Sequence, residues 1–311
     1  MCVVTPSSSA DVFGDDPAVS HAVPPVVAGV PTEISPGVYV IPDGRTPLVP
    51  NVGIVVGERA ALVVDTGLGP RSGAYVLGRA RDLAGGRPLY MTTTHFHPEH
   101  AFGAQAFKGE ATIVCNRAQR DELRRKGQAC LDLFRAAGPV CAEELQHVTF
   151  VDPDIVYVGS AAIDLGGVRV RLRSVGPAHS AGDQIVAVGD RVLFTGDLLE
   201  HKMFPLAPFS SPTDVDCDVM RWTGLLDELI SVRTEITVPG HGEIAPHTLA
   251  SYRDYFQFLR AEVTRLWASG ISVDRVAETL NEAAQSRWPD WDHPGRIPSV
   301  VEAFYRAAEN A

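Results

Sequence analysis

Short apolar runs bounded by glycine, proline or asparagine predict the strands of this chain. One run, VRVRLRSV (168–175), alternates strictly, so that its apolar residues face one way and its three arginines the other, as in a half-exposed strand. Gly57-Glu58-Arg59 predicts a tight turn between two other runs. The predicted strands are, in chain order, 37–42, 51–57, 60–67, 87–94 and 168–175, then a hairpin over 184–197 with Gly189-Asp190 at its turn and a short strand within 234–243.

Other segments repeat their apolar residues at three- and four-residue spacing, which is typical of amphipathic helices. The clearest begins after residue 247 and ends near Gly270. The predicted helices are 71–85, 116–138, the long helix after 247, and two more at about 273–285 and 298–309, with a Trp/Pro-rich loop between the last two.

These elements predict an α/β protein. Two halves rich in strands, each with helices, favour two sheets packed face to face under helical layers. Residues 1–30 lack any period and are interpreted as an extended N-terminal arm, residues 31–247 as the main domain, and residues 248–311 as a helical extension packed on that domain.

Composition narrows the choice of partner. The 311-residue chain carries a net charge of −11, which argues against nucleic acid or an anionic membrane as the main partner, since both need a basic surface. The first residues contain no basic segment followed by an apolar one, so we expect no secretory signal and a cytoplasmic protein. The arm and the C-terminal helices could support a homodimer.

The segment TTTHFHPEH (92–100) concentrates three of the ten histidines at the end of a predicted strand. Strand alternation places His95 and His97 on the same side. Proline 98 suits the first turn of a helix, and Glu99 and His100 fall in that same turn. A strand end and a helix start therefore bring four candidate ligands together, and imidazole and carboxylate are the groups that zinc and similar divalent metals prefer.

Three further strand-to-loop junctions present residues of the same kind. They are GPAHSAGD with His179, FTGDLLE with Asp197, and VPGHGE with His241. Each lies beside glycine, which leaves room for close approach. A single histidine pair is often a structural element, but this ordered set of junctions favours a metal site.

The order of these motifs resembles the metallo-β-lactamase-fold superfamily, and the VVDTG segment (63–67) matches a further motif of that family. The resemblance implies an αββα sandwich of two mixed sheets with the site at one edge. It also implies two divalent metal ions, with zinc as the first choice. The first would be held by His95, His97 and His179, the second by Glu99, His100 and His241, with Asp197 bridging both. By analogy Asp65 would orient the ligand loop; its other interpretation is a turn residue at a strand end.

Glu99 departs from the family pattern, which has aspartate at this position. Glu99 could bind the second metal in a rearranged site, or act as a general acid or base beside a weaker second site. It could also favour iron or manganese, which accept oxygen ligands readily. Glu99 could also be simply the residue that starts a helix, but this interpretation leaves the neighbouring histidines unexplained.

With one or two divalent metals the predicted chemistry is hydrolysis by a metal-activated hydroxide, with Asp197 and Glu99 orienting the nucleophile or carrying its proton. The expected substrate is a small molecule with an ester, lactone, thioester or β-lactam-type bond. The alternatives are a dinuclear iron oxidoreductase on the same fold and a non-catalytic metal-binding protein. The loop 200–214 after Asp197 offers candidate substrate-binding residues, namely His201, Lys202, Phe204 and Phe209.

Overall fold

The computed structural model of the chain describes residues 23–208 and 216–310. Most of the predicted N-terminal arm, residues 1–22, and the candidate Phe209 therefore lie outside the described residues. Residues 23–30 have no regular structure, and the first strand begins at Thr32.

The first half of the chain forms a seven-stranded sheet in the order β1 to β7. Strands β1 to β4 are antiparallel neighbours, and β4 to β7 are parallel. The predicted turn at Gly57-Glu58-Arg59 is confirmed and joins β3 to β4. The strands are β1 (Thr32–Ser35), β2 (Val38–Ile41), β3 (Val52–Val56), β4 (Ala61–Val64), β5 (Leu89–Thr92), β6 (Ala111–Asn116) and β7 (Ile155–Tyr157).

The second sheet has five strands in the order β12-β11-β10-β9-β8. Strand β9 alternates as predicted, with Val170 and Leu172 buried and the arginines toward solvent. The hairpin around Gly189-Asp190 forms β10 and β11, and β12 pairs with β11 in parallel. The strands are β8 (Ser160–Asp164), β9 (Arg169–Ser174), β10 (Gln184–Val188), β11 (Val192–Phe194) and β12 (Ile236–Val238).

The helices lie outside the two sheets. They are α1 (Pro70–Ala84), α2 (Pro98–Ala101), α3 (Arg117–Ala136), α4 (Pro139–Glu144), α5 (Val219–Val232), α6 (Thr248–Ala268), α7 (Val273–Arg287) and α8 (Ile297–Glu309). Short 3-10 turns add Phe102–Phe107, Gly196–Leu198 and Pro294–Arg296. No helix of the described segments has the length and apolar character needed to cross a membrane.

The two sheets pack face to face, with Val38, Val40 and Leu62 of the first sheet in one apolar cluster with Val170 and Val186 of the second. They approach so closely that a side chain at Gly53 would collide with the ring of Phe194, 2.5 Å from the position of its Cβ. Burial of this apolar surface is the main stabilising term of the sandwich.

The outer layers complete the sandwich. Helix α1 covers the first sheet through Val76, Leu77 and Ala80. Helices α5 to α8 share one apolar cluster with residues of β10 and β11, among them Ile185 and Leu193, on the outer face of the second sheet. The predicted αββα class with extra C-terminal helices is thus confirmed.

Strand direction places the predicted ligand junctions at one edge. Strands β9 and β11 are both antiparallel to β10 and β12 is parallel to β11, so these three end at the same side of the second sheet. Parallel β4 and β5 likewise end together in the first sheet. The residues that follow these strands therefore meet across the sandwich.

Candidate metal centre

The HFHPEH segment follows β5 as the sequence predicts, and Pro98 begins α2 with His97 at its N-cap. The chain leaves the strand at Thr92 and turns sharply, which brings the rings of His95 and His97 to a centroid distance of 4.5 Å. Glu99 and His100 occupy the first turn of α2, and both are buried.

A first group of candidate ligands contains His95, His97, His179 and Asp197. The His179 Nε2 and His97 Nδ1 atoms lie 3.0 Å apart. One carboxylate oxygen of Asp197, Oδ2, lies 3.7 Å from His95 Nε2 and 3.8 Å from His179 Nε2. All the ligand atoms are within 4.8 Å of one another, a spacing that one coordinated cation could span.

A second group contains Glu99, His100, His241 and again Asp197. The other carboxylate oxygen of Asp197, Oδ1, lies 3.1 Å from His100 Nε2 and 3.5 Å from His241 Nε2. Each oxygen of Asp197 thus faces a different group, which is the arrangement of a carboxylate shared by two cations.

The chemistry of these atoms fits divalent metal ions. His95 Nε2, His100 Nε2, Glu99 Oε2 and Asp197 Oδ1 are buried and make no hydrogen bond with the described residues. Buried polar atoms without partners are costly, and a coordinated cation would satisfy all four. The two groups together offer five imidazoles and two carboxylates, a donor set suited to zinc and its neighbours.

Several ring nitrogens that face away from the two groups are already engaged. His100 Nδ1 lies 3.0 Å from Asp65 Oδ2, and His241 Nδ1 lies 2.9 Å from the carbonyl oxygen of Val49. These partners fix the ring orientation and leave Nε2 as the nitrogen that could bind a cation.

Burial and mutual repulsion keep part of the cluster neutral. Burial, helped by the charge of His100, holds the pKa of His95 well below its usual value, and burial with His179 does the same for the pKa of His97. Their lone pairs are therefore available at neutral pH.

His100 titrates in the opposite direction. Burial alone would lower the pKa of His100, but Asp197 and Asp65 outweigh it and raise the pKa well above the usual value. Two carboxylates thus stabilise positive charge at this ring, and a proton and a metal ion compete to supply it.

Asp65 contacts both the first histidine loop and His100. Its backbone φ is 69°, and its Oδ1 accepts a hydrogen bond of 2.6 Å from the backbone N–H of Thr94. Because Oδ2 contacts His100, one carboxylate ties the loop before His95 to a ligand of the second group.

Helix α3 holds the His179 loop through residues that the sequence analysis did not identify. The backbone N–H of Gly182 donates to Glu122 at 2.6 Å, and Asn116 Nδ2 donates to the carbonyl of Gly182 at 2.7 Å. Gln119 Nε2 donates to the carbonyl of Thr93 at 2.8 Å, so the same helix also holds the loop that carries His95 and His97. Only their burial identifies these residues, and no sequence motif marks them.

Asp183 closes the turn that carries His179. It accepts hydrogen bonds from the backbone N–H and the hydroxyl of Ser180, at 2.9 and 2.6 Å. Burial raises the pKa of Asp183 from 3.8 to about 8. Its carboxyl group is therefore protonated in the folded chain at neutral pH and ionised in the unfolded chain.

This difference predicts a pH-dependent stability. Between pH 4 and 8 unfolding releases a proton from Asp183, so the free energy of unfolding falls with rising pH, by up to about 1.4 kcal/mol per pH unit. Asp183→Asn removes this titration. In chelator, its Tm advantage over the parent chain is expected to widen from pH 5 to 8 and then level off. A Tm difference that stays constant across this range would show that Asp183 is ionised in the fold.

The two ligand groups lie at the floor of a cavity of about 310 Å³. Its other described lining residues come from four separate segments of the chain. These are Asp43, Arg45, Thr46, Pro47 and Leu48 before β3; Phe134 in α3; Glu200, Met203 and Leu206 after β11; and Asp292, His293 and Arg296 before α8.

The candidate substrate-binding residues lie elsewhere. His201 Nδ1 is 2.7 Å from the hydroxyl of Thr248, and Lys202 pairs with Asp290 in solvent. Phe204 is 1% exposed and belongs to the apolar cluster under the C-terminal helices. None of the three is among the residues that line the cavity.

Trp288 and Trp291 anchor the C-terminal helices. The Trp291 ring stacks on Tyr252 at 5.9 Å and lies beside Phe204. The residues that line the cavity in place of the candidates, notably Glu200 and Arg296, are ordinary charged residues in the sequence.

A sequence model of the metallo-beta-lactamase superfamily matches residues 45–241, more than half of the chain. The acyl-coenzyme A thioesterase MBLAC2 of Bos taurus is 28% identical over 208 residues, which are 61% of this chain and 72% of the relative. The linear primary-alkylsulfatase of Pseudomonas sp. (strain ATCC 19151) is 22% identical over 262 residues, 73% of this chain and 49% of the relative.

Among solved structures, a double mutant of the sec-alkyl sulfatase PisA1 of Pseudomonas sp. superposes with a TM-score of 0.69 at 17% identity. The superposition covers 90% of this chain and 50% of that one. The chain thus spans about half the length of both sulfatases. The fold, the family match and the shared-carboxylate cluster agree: the chain belongs to the metallo-beta-lactamase superfamily and is a metal-dependent hydrolase.

Proposed function

We propose that the protein hydrolyses an acyl bond (an ester, lactone, thioester or β-lactam-type bond) of a small molecule with the help of two zinc ions. The observation that carries this proposal is the shared position of Asp197, whose two oxygens face two groups of buried ligand atoms at the floor of a cavity. The mixture of imidazole and carboxylate favours zinc over metals that bind oxygen alone.

His95, His97 and His179 would hold the first ion, Glu99, His100 and His241 the second, and Asp197 both. Bound zinc supplies Lewis acidity, which polarises the substrate oxygen and lowers the pKa of water from 15.7 to about 7.

A carboxylate of the chain would transfer the proton from water to the leaving group. In hydrolysis the oxygen of water bonds to the acyl carbon, the bond to the leaving group breaks, and the leaving group takes up a proton. Glu99 lines the cavity and is buried, so its carboxylate can accept the proton of water and deliver it to the leaving group. Asp197, whose two oxygens would hold the two ions, would orient the water.

The cavity also suggests the shape of the substrate. Pro47, Leu48, Phe134, Met203 and Leu206 give it an apolar wall, which suits an acyl chain. Because a thioesterase is among the relatives, thioesters are the first bond type to test.

The test is a substrate panel with protein purified without chelator. Acyl-coenzyme A thioesters, aryl esters, lactones and a chromogenic β-lactam are assayed beside elemental metal analysis. We expect hydrolysis of at least one acyl bond, about two zinc ions per chain, loss of turnover after chelation, and recovery when zinc is restored. Full turnover in metal-depleted protein, or no hydrolysis of any acyl bond by the zinc-loaded chain, would refute the proposal.

Sulfate-ester hydrolysis is the second candidate, favoured by the alkylsulfatase that matches 73% of this chain. A pair of substrates with the same chain length, octyl sulfate and an octanoyl thioester, separates the two. Turnover of the sulfate alone would move the proposal from acyl to sulfuryl transfer to water.

A further inference from the structure

We propose that Arg296 forms an anion-binding subsite in the cavity and recognises a carboxylate, phosphate or sulfate group of the substrate at a distance from the bond that is cleaved. The inference deepens the proposed function, because it treats the same cavity as the substrate site. It concerns the binding of an anionic group, so it can be tested independently of the proposal that the protein cleaves an acyl bond.

Arg296 reaches the cavity from the C-terminal region, outside the segment that the family model matches. It ends the 3-10 turn Pro294–Arg296 directly before α8. Its side chain lines the same cavity as Glu99, Asp197 and His241 and keeps 27% of its surface exposed. The Arg296 side chain therefore forms part of the wall of the space that a substrate would occupy.

The hydrogen bonds of Arg296 leave part of its donor set open. Nη1 donates to Glu200 Oε2 at 3.2 Å and to the carbonyl of Phe204 at 3.3 Å. Within residues 23–208 and 216–310 no acceptor engages its Nε or Nη2. A planar guanidinium with two free adjacent donors can bind a carboxylate, phosphate or sulfate in bidentate geometry.

Arg45, the other arginine among the described residues that line the cavity, has four of its five N–H donors engaged. Its Nε and Nη2 bind the carboxylate of Glu243 at 2.8 and 2.6 Å, and its Nη1 binds Asp292 at 2.6 Å. Nη2 also donates to the carbonyl of His201 at 3.2 Å. Arg45 thus ties three loops together, and Arg296 is the arginine available to a ligand.

Two features hold Arg296 in place before any ligand binds. Glu200 is 3% exposed and fixes Nη1. The segment before α8 is joined to the loop after β11 by hydrogen bonds from the N–H of Phe204 to the carbonyl of Asp292 (3.0 Å) and from the N–H of Asp292 to the carbonyl of Lys202 (2.9 Å). A preorganised side chain loses little conformational entropy on binding, which raises its affinity for an anion.

The cavity therefore has three parts: ligand groups at its floor, an apolar wall, and a charged wall with an open guanidinium. A substrate that fits all three has an acyl group, a short apolar chain and an anionic group. This class includes half-esters and half-thioesters of dicarboxylic acids and acyl compounds with a phosphorylated or sulfated end.

The test compares the affinities of matched acids for the metal-loaded full chain by calorimetry. Hexanoate and adipate differ only in the second carboxylate, so contacts of the first carboxylate with the metals cancel in the ratio. Shorter and longer pairs, pentanoate with glutarate and octanoate with suberate, find the best spacing. Arms with a phosphonate or a sulfonate in place of the second carboxylate show which anion is preferred.

We expect the parent chain to bind the best diacid at least about tenfold more tightly than its monoacid, as one charge-assisted bidentate contact supports. Arg296→Gln is expected to abolish this ratio while leaving the monoacid affinity within about twofold, and Arg296→Lys to restore part of it. Arg306→Gln, the same change on exposed α8 surface where the Arg306 side chain pairs with Glu302, is the matched control and should keep the full ratio.

A ratio near one in the parent chain, or a ratio that survives in Arg296→Gln, would overturn the inference. Loss of zinc-dependent acyl hydrolysis with the ratio intact would refute only the proposed function.

Discussion

Asp197→Ala is expected to abolish hydrolysis and to remove bound metal, because one carboxylate serves both ligand groups. Its Oδ2 faces His95 and His179, and its Oδ1 faces His100 and His241. Loss of residues that merely orient metal ligands costs 10- to 100-fold, so loss of the shared ligand should lower kcat/KM by more than about 100-fold. Elemental analysis and the best substrate of the panel measure both effects.

The matched control for this prediction is Asp190→Ala. Asp190 lies at the turn between β10 and β11, its side chain is 96% exposed, and it pairs only with Arg171 among the described residues. It should keep activity and metal content. The circular dichroism of Asp197→Ala should match that of the parent chain, since the sheets pack through apolar residues. Retention of two metal ions and full turnover by Asp197→Ala would refute the assignment of the site.

Gly240→Ala is expected to damage the same site without changing a ligand. A Cβ at residue 240 would lie 2.1 Å from Asp197 Oδ1 and 2.7 Å from the carbonyl carbon of Gly196. The φ of Gly240 is outside the left-handed region, so the added methyl group alone is the perturbation.

The surrounding backbone cannot move away easily, because the N–H of Gly240 donates to the carbonyls of Gly196 (3.0 Å) and Leu199 (2.9 Å). Overpacking of this kind costs about 1–3 kcal/mol of stability, and the Asp197 carboxylate must shift. We therefore expect both a lower Tm and a metal affinity reduced by about 10-fold or more.

Gly224→Ala is the control for this glycine. Gly224 lies within α5 with no atom near the position of its Cβ, so alanine there should stabilise the helix by about 0.5–1 kcal/mol. Unchanged metal affinity in Gly240→Ala would mean that the loop of His241 can shift away from Asp197 freely.

Strong periodicity was sufficient to predict most of the fold. The alternation of β9, the hairpin of β10 and β11, and the long helix α6 follow directly from the spacing of apolar residues. The sequence analysis does not predict strands β1, β6, β7 and β8 or helix α5. Strands β7 and β8 are short and partly exposed, with Ile155 47% exposed and small residues along β8.

The ligand set was accessible to sequence reasoning for a specific reason. Each ligand follows a strand, and parallel or antiparallel pairing then determines which strand ends coincide. The charged wall had no such signal, because Arg296 comes to the cavity through the packing of Trp291 and the link between Phe204 and Asp292. Those contacts depend on three-dimensional packing, which the local spacing of apolar residues does not predict.

The link between Phe204 and Asp292 has a consequence for the order in which the protein matures. Chains emerge from the ribosome N-terminus first, at about 5–20 residues per second, and domains begin to fold as they appear. Every candidate metal ligand is synthesised before the segment that carries Arg296. A nascent chain could thus hold its metals while one side of the cavity is still open. Selectivity for the substrate would then be the last property acquired, and a protease cut in the segment before α8 would yield a less selective enzyme before an inactive one.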